Sequence, residues 1–226
     1  MNGSNVQSSR GVTLVGGGAP DETIVRDLLS NAPFLVAADG GANGCVSFGL
    51  SPSAVVGDFD SVTPETRKNL PETRFLHVSE QDTTDFEKCL TAIEAPYILA
   101  TGFTAGRLDH TLAVFSALAQ YQRIPVIVVG ERDVIFAAPS ELELNVAPGT
   151  RVSLFPLQEV RGTSKGLKWP LDGLSLSPMG QIGTSNEATG TVSLTFDRRG
   201  CLVILPRDSL MTALYALIGP SSVLEE

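Results

Sequence analysis

The sequence predicts an α/β domain followed by an antiparallel β domain. Three observations carry that expectation. Short apolar runs recur through the first half with helical periodicity between them. From about Ala138 the apolar period switches to two, and Gly and Pro punctuate the segments. The composition, 42% hydrophobic and 18% charged, is that of a globular chain able to bury a core.

Val12–Val15, Phe34–Ala38, Ala54–Val56, Tyr97–Ala100 and Val126–Val129 read as buried strands. Phe86, Cys89, Leu90 and Ile93 fall at i, i+3, i+4 and i+7, one face of a helix, and Leu108, Leu112, Phe115 and Ala119 do much the same. Short strands alternating with helices predict a parallel sheet covered on both faces. In the second half Leu142, Leu144 and Val146 alternate with polar residues, as do Val192, Leu194 and Phe196, then Cys201, Val203 and Leu205. That pattern predicts an antiparallel β-sandwich. The expected domains are residues 11–138 and 139–216, with the first ten residues and the tail after Ala216 loosely held.

Charge and cysteine content narrow the function classes. Sixteen Lys plus Arg against twenty-five Asp plus Glu give a net charge of −9, which argues against a general nucleic-acid surface. An anionic small substrate would need a cation or a local Arg/Lys cluster. Three cysteines without a CxxC pair make a structural zinc site or a disulfide framework improbable. A polar start without a signal-peptide pattern predicts a cytoplasmic protein.

The chemistry should sit beyond the carboxyl ends of the parallel strands, where open α/β sheets bind ligands. Those ends are rich in Gly and Asp: Asp39-Gly40-Gly41-Ala42-Asn43, Gly57-Asp58-Phe59-Asp60-Ser61, and Thr101-Gly102 running on to Gly106-Arg107-Leu108-Asp109-His110. Asp58 and Asp60, at i and i+2, would share a face on a regular strand and could hold one hard cation such as Mg2+. Alternatively, they form only a turn and a cap. Thr84 and Glu87 fit a capping box, which puts Asp85 in the first turn of a helix. It is there as a cation ligand or as an ordinary N-terminal acid. Arg107 could grip a phosphate, or merely pair with Asp109 on the surface. Trp169, the only tryptophan, and the polar run Gly183–Glu187 suit a flat heteroaromatic ligand, or a buried Trp and a turn.

His77 and His110 are the only histidines, and no Ser-His-Asp or Cys-His order stands out. Gly16-Gly17-Gly18 resembles a nucleotide-binding turn, but Asp21 stands where GxGxxG needs its third Gly, and no P-loop pattern exists.

Asp39–Asn43, Gly57–Ser61, Gln81-Asp82-Thr83-Thr84-Asp85-Phe86, Gly106–His110, Trp169 and Thr184-Ser185-Asn186 occur in one order over residues 12–207. Together they closely resemble the thiamine pyrophosphokinase (thiamine diphosphokinase) family, with the Gln81–Phe86 run closer to its eukaryotic branch. The resemblance implies a Rossmann-like nucleotide-binding domain plus a thiamine-binding β-sandwich, in a homodimer whose site is shared between subunits. It implies an enzyme that moves the pyrophosphoryl group of ATP to the hydroxyethyl oxygen of thiamine, giving thiamine diphosphate and AMP, with Mg2+. By the same resemblance Asp58, Asp60 and Asp85 surround the metal, and Gln81, Arg107 and Asp109 lie near the transferred group. Asp39, Gly40, Gly41, Asn43, Thr101, Gly102 and Arg107 take the nucleotide, and Trp169, Ser185 and Asn186 contact thiamine. One departure is Ala105, where the family's loop carries a glycine.

Two other readings stand beside this one. A related phosphoryl or pyrophosphoryl transferase could use another acceptor alcohol, since fold does not fix substrate. A non-catalytic thiamine or nucleotide regulator would have little reason to collect Asp58, Asp60, Asp85 and Asp109 near phosphates.

Overall fold

Runs of β-branched and small apolar residues bounded by Gly and Asp become the strands of the first unit. In the computed structural model, residues 5–80 and 82–219 are described. They divide into two compact units, one running up to Ala117 with Arg123–Glu131, the other comprising Leu118–Gln122 and the residues from Arg132 on.

The first unit contains β1 (Val6–Gln7), β2 (Val12–Val15), α1 (Glu22–Asn31), β3 (Phe34–Ala38), α2 (Gly41–Ser47), β4 (Ala54–Gly57), α3 (Pro64–Asn69), β5 (Arg74–His77), α4 (Asp85–Ala92), β6 (Ile93–Glu94), β7 (Ile98–Thr101), the start of α5 (Leu108–Gln120), and β8 (Val126–Val129). Its main strands are all parallel, in the order β8-β7-β2-β3-β4-β5. The chain moves from β2 outward through β3, β4 and β5, then returns to β2's other side as β7. That reversal is a topological switch point, where neighbouring loops diverge and leave a crevice at the carboxyl ends.

Helix ends are set by side chains. Asp21 caps α1 by accepting from the Ile24 amide, and Thr84 with Glu87 forms a reciprocal capping box on α4. Phe86, Cys89 and Leu90 are buried on α4 as the periodicity predicts. In α5 the buried face is instead Val114, Ala117 and Leu118, while Leu108 and Leu112 are exposed. This helix is apolar around most of its circumference, so spacing alone does not select the buried stripe. Residues 5–10 are also held more firmly than their polar composition suggests. β1 pairs in parallel with β6, Val6 is buried, and the amides of Asn5 and Gln7 donate to the Glu94 carboxylate.

The second unit holds β9 (Asp133–Ala137), β10 (Glu141–Leu144), β11 (Arg151–Pro156), β12 (Val160–Leu167), β13 (Ser175–Leu176), β14 (Gly183–Phe196), β15 (Cys201–Pro206) and α6 (Leu210–Ile218). Its strands pair with one another antiparallel, and one isolated parallel bridge joins Leu176 to Gln181. β9 pairs with β15, so residues 133–137 lie with this unit rather than with the α/β half. The long β14 changes partner along its length: residues 183–187 face β11 and residues 192–195 face β10, with β12 along its other edge. α6, which the Gly/Pro-rich texture did not predict, follows β15 and buries Ala213 and Leu214. Among the described residues, no helix is long and apolar enough to cross a membrane.

Candidate functional site

β3 ends at Ala38, and the next residue, Asp39, turns out of the strand at φ 39°. Asp39 is 1% exposed, and neither of its carboxylate oxygens meets a hydrogen-bond donor. β4 ends at Gly57, beside it. A Cβ on Gly57 would stand 2.9 Å from the Asp39 Cβ, so glycine is what lets the two loops close together. After Gly57, Phe59 adopts φ 68°, a left-handed conformation that is a true outlier for a bulky side chain. This turn replaces the strand pleat expected to align Asp58 and Asp60. It also brings in a third acid: oxygens of Asp39, Asp58 and Asp60 all lie within 4.8 Å of one another. Ionised carboxylates this close repel at about 3.5 kcal/mol or more per pair at an effective dielectric of about 20.

Burial, reinforced by the approach of Asp58 and the charges of Asp85, Asp60 and Asp58, pushes the Asp39 pKa up to about 7. When both are ionised, neither Asp39 nor Asp58 can donate to the other. A shared proton or a cation resolves the orphaned oxygens. Three hard oxygen donors around a buried, unpartnered carboxylate fit a Mg2+-type ion.

Asp85 stands in the first turn of α4, as the capping box implies, and outside the group of three clustered acids. At the N-terminus of α4 it accepts from Lys88 Nζ at 3.2 Å, and the same ammonium donates to Asp58 at 3.1 Å. The Lys88 side chain is only 4% exposed. Burial opposes its charge, but the hydrogen bonds and charges of Asp58 and Asp85 outweigh this and raise its pKa. In return Lys88, first among several donors, holds Asp58 below its ordinary value. Sequence reasoning passed over Lys88. It lies one turn after Asp85 and on the opposite side of α4 from the Phe86, Cys89 and Leu90 stripe, so periodicity gave no signal of its burial.

A cavity of about 520 Å³ opens beside these loops, with Gly17, Gly18, Gly40, Asp85, Arg107 and His110 in its wall. It lies at the switch point, between the loops after β2, β3 and β7. Gly102 has φ 77°, and a Cβ there would meet the Gly16 carbonyl oxygen at 2.5 Å. Only glycine allows that contact. The Gly18 amide donates to the Gly102 carbonyl at 2.9 Å, and the Gly16 amide to that of Thr101 at 2.8 Å. Thr101 and Gly41 are buried behind the wall. Asn43 spends its amide on the neighbouring loop, donating to Ser61 O and accepting from the Thr63 amide.

Arg107 makes two hydrogen bonds to Asp109, at 3.2 and 2.6 Å, and both side chains are exposed. Asp109 lies in the first turn of α5, and its pKa is held low, chiefly by the Arg107 hydrogen bond. Gln81 lies outside the described residues.

In the second unit Asn186 is buried and makes three hydrogen bonds. Its Oδ1 accepts from the amides of Trp169 at 3.2 Å and Glu187 at 2.9 Å, and its Nδ2 donates to Trp169 O at 2.7 Å. It therefore grips the main chain of Trp169 on both sides. The Trp169 indole is 55% exposed, contrary to the blander expectation of a buried tryptophan. The Lys168 ammonium stands 5.0 Å from the ring centre and pairs with Glu187 at 3.3 Å. Ser185, at φ 62°, donates its amide to Ser153 Oγ, which also accepts from Arg151.

Residues 25–129 match the family model for the thiamin pyrophosphokinase catalytic domain, and residues 140–200 match that for the thiamin pyrophosphokinase vitamin B1 binding domain. The chain is 32% identical over 184 residues to thiamin pyrophosphokinase 1 of Caenorhabditis elegans, covering 73% of this chain and 75% of that one. The chain belongs to the thiamin pyrophosphokinase family.

A rice thiamine pyrophosphokinase 1 is 30% identical over 206 residues, covering 75% of this chain and 78% of the relative. Among solved structures, the thiamin pyrophosphokinase from Candida albicans superposes with a TM-score of 0.74 at 17% identity, covering 90% and 94% of the two chains. That from Geobacillus thermodenitrificans gives 0.68 at 26% identity, covering 86% and 96%. The α/β part of the expected fold agrees with these thiamin pyrophosphokinase structures. Of the four non-glycine residues with positive φ among the described residues, Ala19, Asp39 and Phe59 sit in loops at or beside the cavity, and Ser185 lies near the start of β14. Such conformations cost about 1–3 kcal/mol each and persist where surrounding structure enforces them.

Proposed function

We propose that the chain is a thiamine diphosphokinase that transfers the pyrophosphoryl group of ATP to the hydroxyethyl oxygen of thiamine, releasing AMP. The observation that carries the reading is the convergence of Asp39, Asp58 and Asp60, one of them buried and unpartnered, at the sheet's switch point beside a glycine-walled cavity. In this reading the first unit, expected from the sequence as residues 11–138, is a Rossmann-like ATP-binding domain, and the second, expected as residues 139–216 and holding β9 as well, is a β-sandwich for thiamine and dimerisation. The protein acts as a cytoplasmic homodimer.

Asp39, Asp58 and Asp60 would hold Mg2+, with Asp85 facing the phosphates from the cavity wall. Bound there, the ion neutralises phosphate charge and makes AMP a better leaving group. Lys88 keeps Asp58 ionised and turned toward the cluster. Arg107, steadied by Asp109, offers a permanent positive charge to a phosphate oxygen. The glycine wall brings main-chain amides of the loops after β2, β3 and β7 close to the nucleotide. The thiamine hydroxyl attacks the β-phosphorus, and its proton passes to a carboxylate. Asp85 lines the cavity, whereas Asp109 is tied to Arg107 on the exposed surface, which favours Asp85. Gln81 is assigned near the transferred group by resemblance. Positioning and charge stabilisation supply most of the acceleration.

The test is direct. Purified protein with thiamine, ATP and Mg2+ should form thiamine diphosphate and AMP in equal amounts, and EDTA should stop both. ADP with thiamine monophosphate would change the reaction to single phosphoryl transfer. Thiamine binding without any product would leave a regulator.

The second unit makes its own prediction. Asn186→Ala frees the Trp169 main chain and should raise KM for thiamine roughly tenfold, about 1.4 kcal/mol. KM for ATP should stay within about twofold, well inside that interval. Steady-state kinetics varying each substrate in turn separates the two. Equal rises in both constants would remove Asn186 and Trp169 from thiamine recognition.

A further inference from the structure

Phe59 separates two cluster acids and holds an unfavourable backbone conformation, φ 68°. Something must keep it there. Its ring packs edge-on to Phe75, with centroids 5.3 Å apart and planes at 81°, and lies 5.6 Å from the His77 ring. Phe75 and His77 are i and i+2 on β5, so both face the same way. The guanidinium of Arg67, from α3, covers both aromatic rings, 5.2 Å from that of Phe59 and 4.9 Å from that of Phe75. The carboxylates on either side are anchored less deeply. Asp60 is exposed, and its carboxylate accepts from Ser61 Oγ; Asp58 depends on Lys88.

We propose that Phe59 is a positioning residue for the cation site: its ring, clamped by Phe75, His77 and Arg67, holds the left-handed turn that carries Asp58 and Asp60 to Asp39. The proposal rests on the reading of that cluster as a divalent-cation site. A ring released from the clamp would let residue 59 relax to negative φ, and the acids on either side would leave the buried Asp39. Glycine at 59 would tolerate the turn but not fix it, so conformational tolerance and anchoring are experimentally separable.

The experiment titrates Mn2+ into the purified full-length protein and follows free Mn2+ by electron paramagnetic resonance. Thermal unfolding is measured in parallel. Phe59→Leu and Phe59→Gly should each weaken Mn2+ binding by about 10-fold or more, as loss of an outer-shell support does. Phe59→Tyr should restore it. In turnover assays the Mg2+ concentration for half-maximal rate should rise in the Leu and Gly variants, with KM for thiamine unchanged.

Arg67 is exposed, so Arg67→Met should fold even if the Phe59 variants do not. It should weaken Mn2+ binding roughly two- to fivefold through loss of the cation–π contact. Wild-type affinity in folded Phe59→Gly, or in Arg67→Met should the Phe59 variants not fold, overturns the positioning role. Asp60→Asn separates this from failure of the underlying reading. If it binds Mn2+ as the wild type does, the cation site is wrong, and the role of Phe59 falls with it.

Discussion

Asp60→Asn should lower kcat by about two to three orders of magnitude, the usual cost of removing one preorganised electrostatic group. Unfolding temperature should hardly change. Asp60 is exposed, and its carboxylate accepts from the adjacent Ser61 hydroxyl rather than from the core. The substitution therefore removes a charge from the cluster without opening a cavity or stranding a buried partner. Asp58→Asn is a less clean test, because it also removes one of the two acceptors of buried Lys88. The measurement is turnover of thiamine and ATP across a Mg2+ series, beside circular dichroism. Near-normal turnover in Asp60→Asn would end the metal role assigned to the cluster.

Asp39→Asn should have opposite effects on stability and activity. With the folded pKa pushed up to about 7 from the ordinary 3.8, the folded state binds more protons than the unfolded one between those values. Stability of the metal-free protein should therefore fall as pH rises from about 4 to about 7, then level off. The interval, at about 1.4 kcal/mol per pH unit, bounds the loss at about 4 kcal/mol. Asp58, held low by Lys88, titrates below this window, and Lys88 above it. Asp39→Asn should flatten the profile and stabilise the metal-free protein at pH 8, since an amide can donate to the neighbouring carboxylates. Added Mg2+ should stabilise the wild type but not the variant, and the variant should lose activity. Urea unfolding at several pH values, with EDTA or Mg2+, checks each part. A wild-type profile that is flat between pH 4 and 7 would refute the buried charge.

Five of the six main parallel strands, β2, β3, β4, β7 and β8, were readable because each is buried on both faces and reads as a mostly apolar run; the edge strand β5 is not buried. The Gly and Asp residues after them marked the carboxyl-end loops, since those loops must allow close approach and carry charge. Positions that depend on three-dimensional convergence were harder to read. Asp39 appeared as one more strand-end acid, but the left-handed turn at Phe59 sets it against Asp58 and Asp60 from a separate strand. Lys88 was hidden because a buried lysine is intelligible only once its two carboxylates are in place. Asn186 was read as a ligand contact; that its amide also holds the Trp169 main chain is visible only in three dimensions. The stripe on α5 misled because a helix apolar around most of its circumference carries little directional signal. α6 lies in a segment whose β-like neighbours dominated the reading.

The exposed Trp169 has an optical consequence. A chain with a single indole has a single tryptophan fluorophore, so its emission reports one loop with no averaging. Water around a ring that is 55% exposed should place the free protein's emission at long wavelength. The main-chain grip of Asn186 fixes where that reporter stands. A heteroaromatic cation stacking on the ring should quench it, so thiamine affinity becomes measurable on unlabelled protein, without turnover and with nucleotide left out.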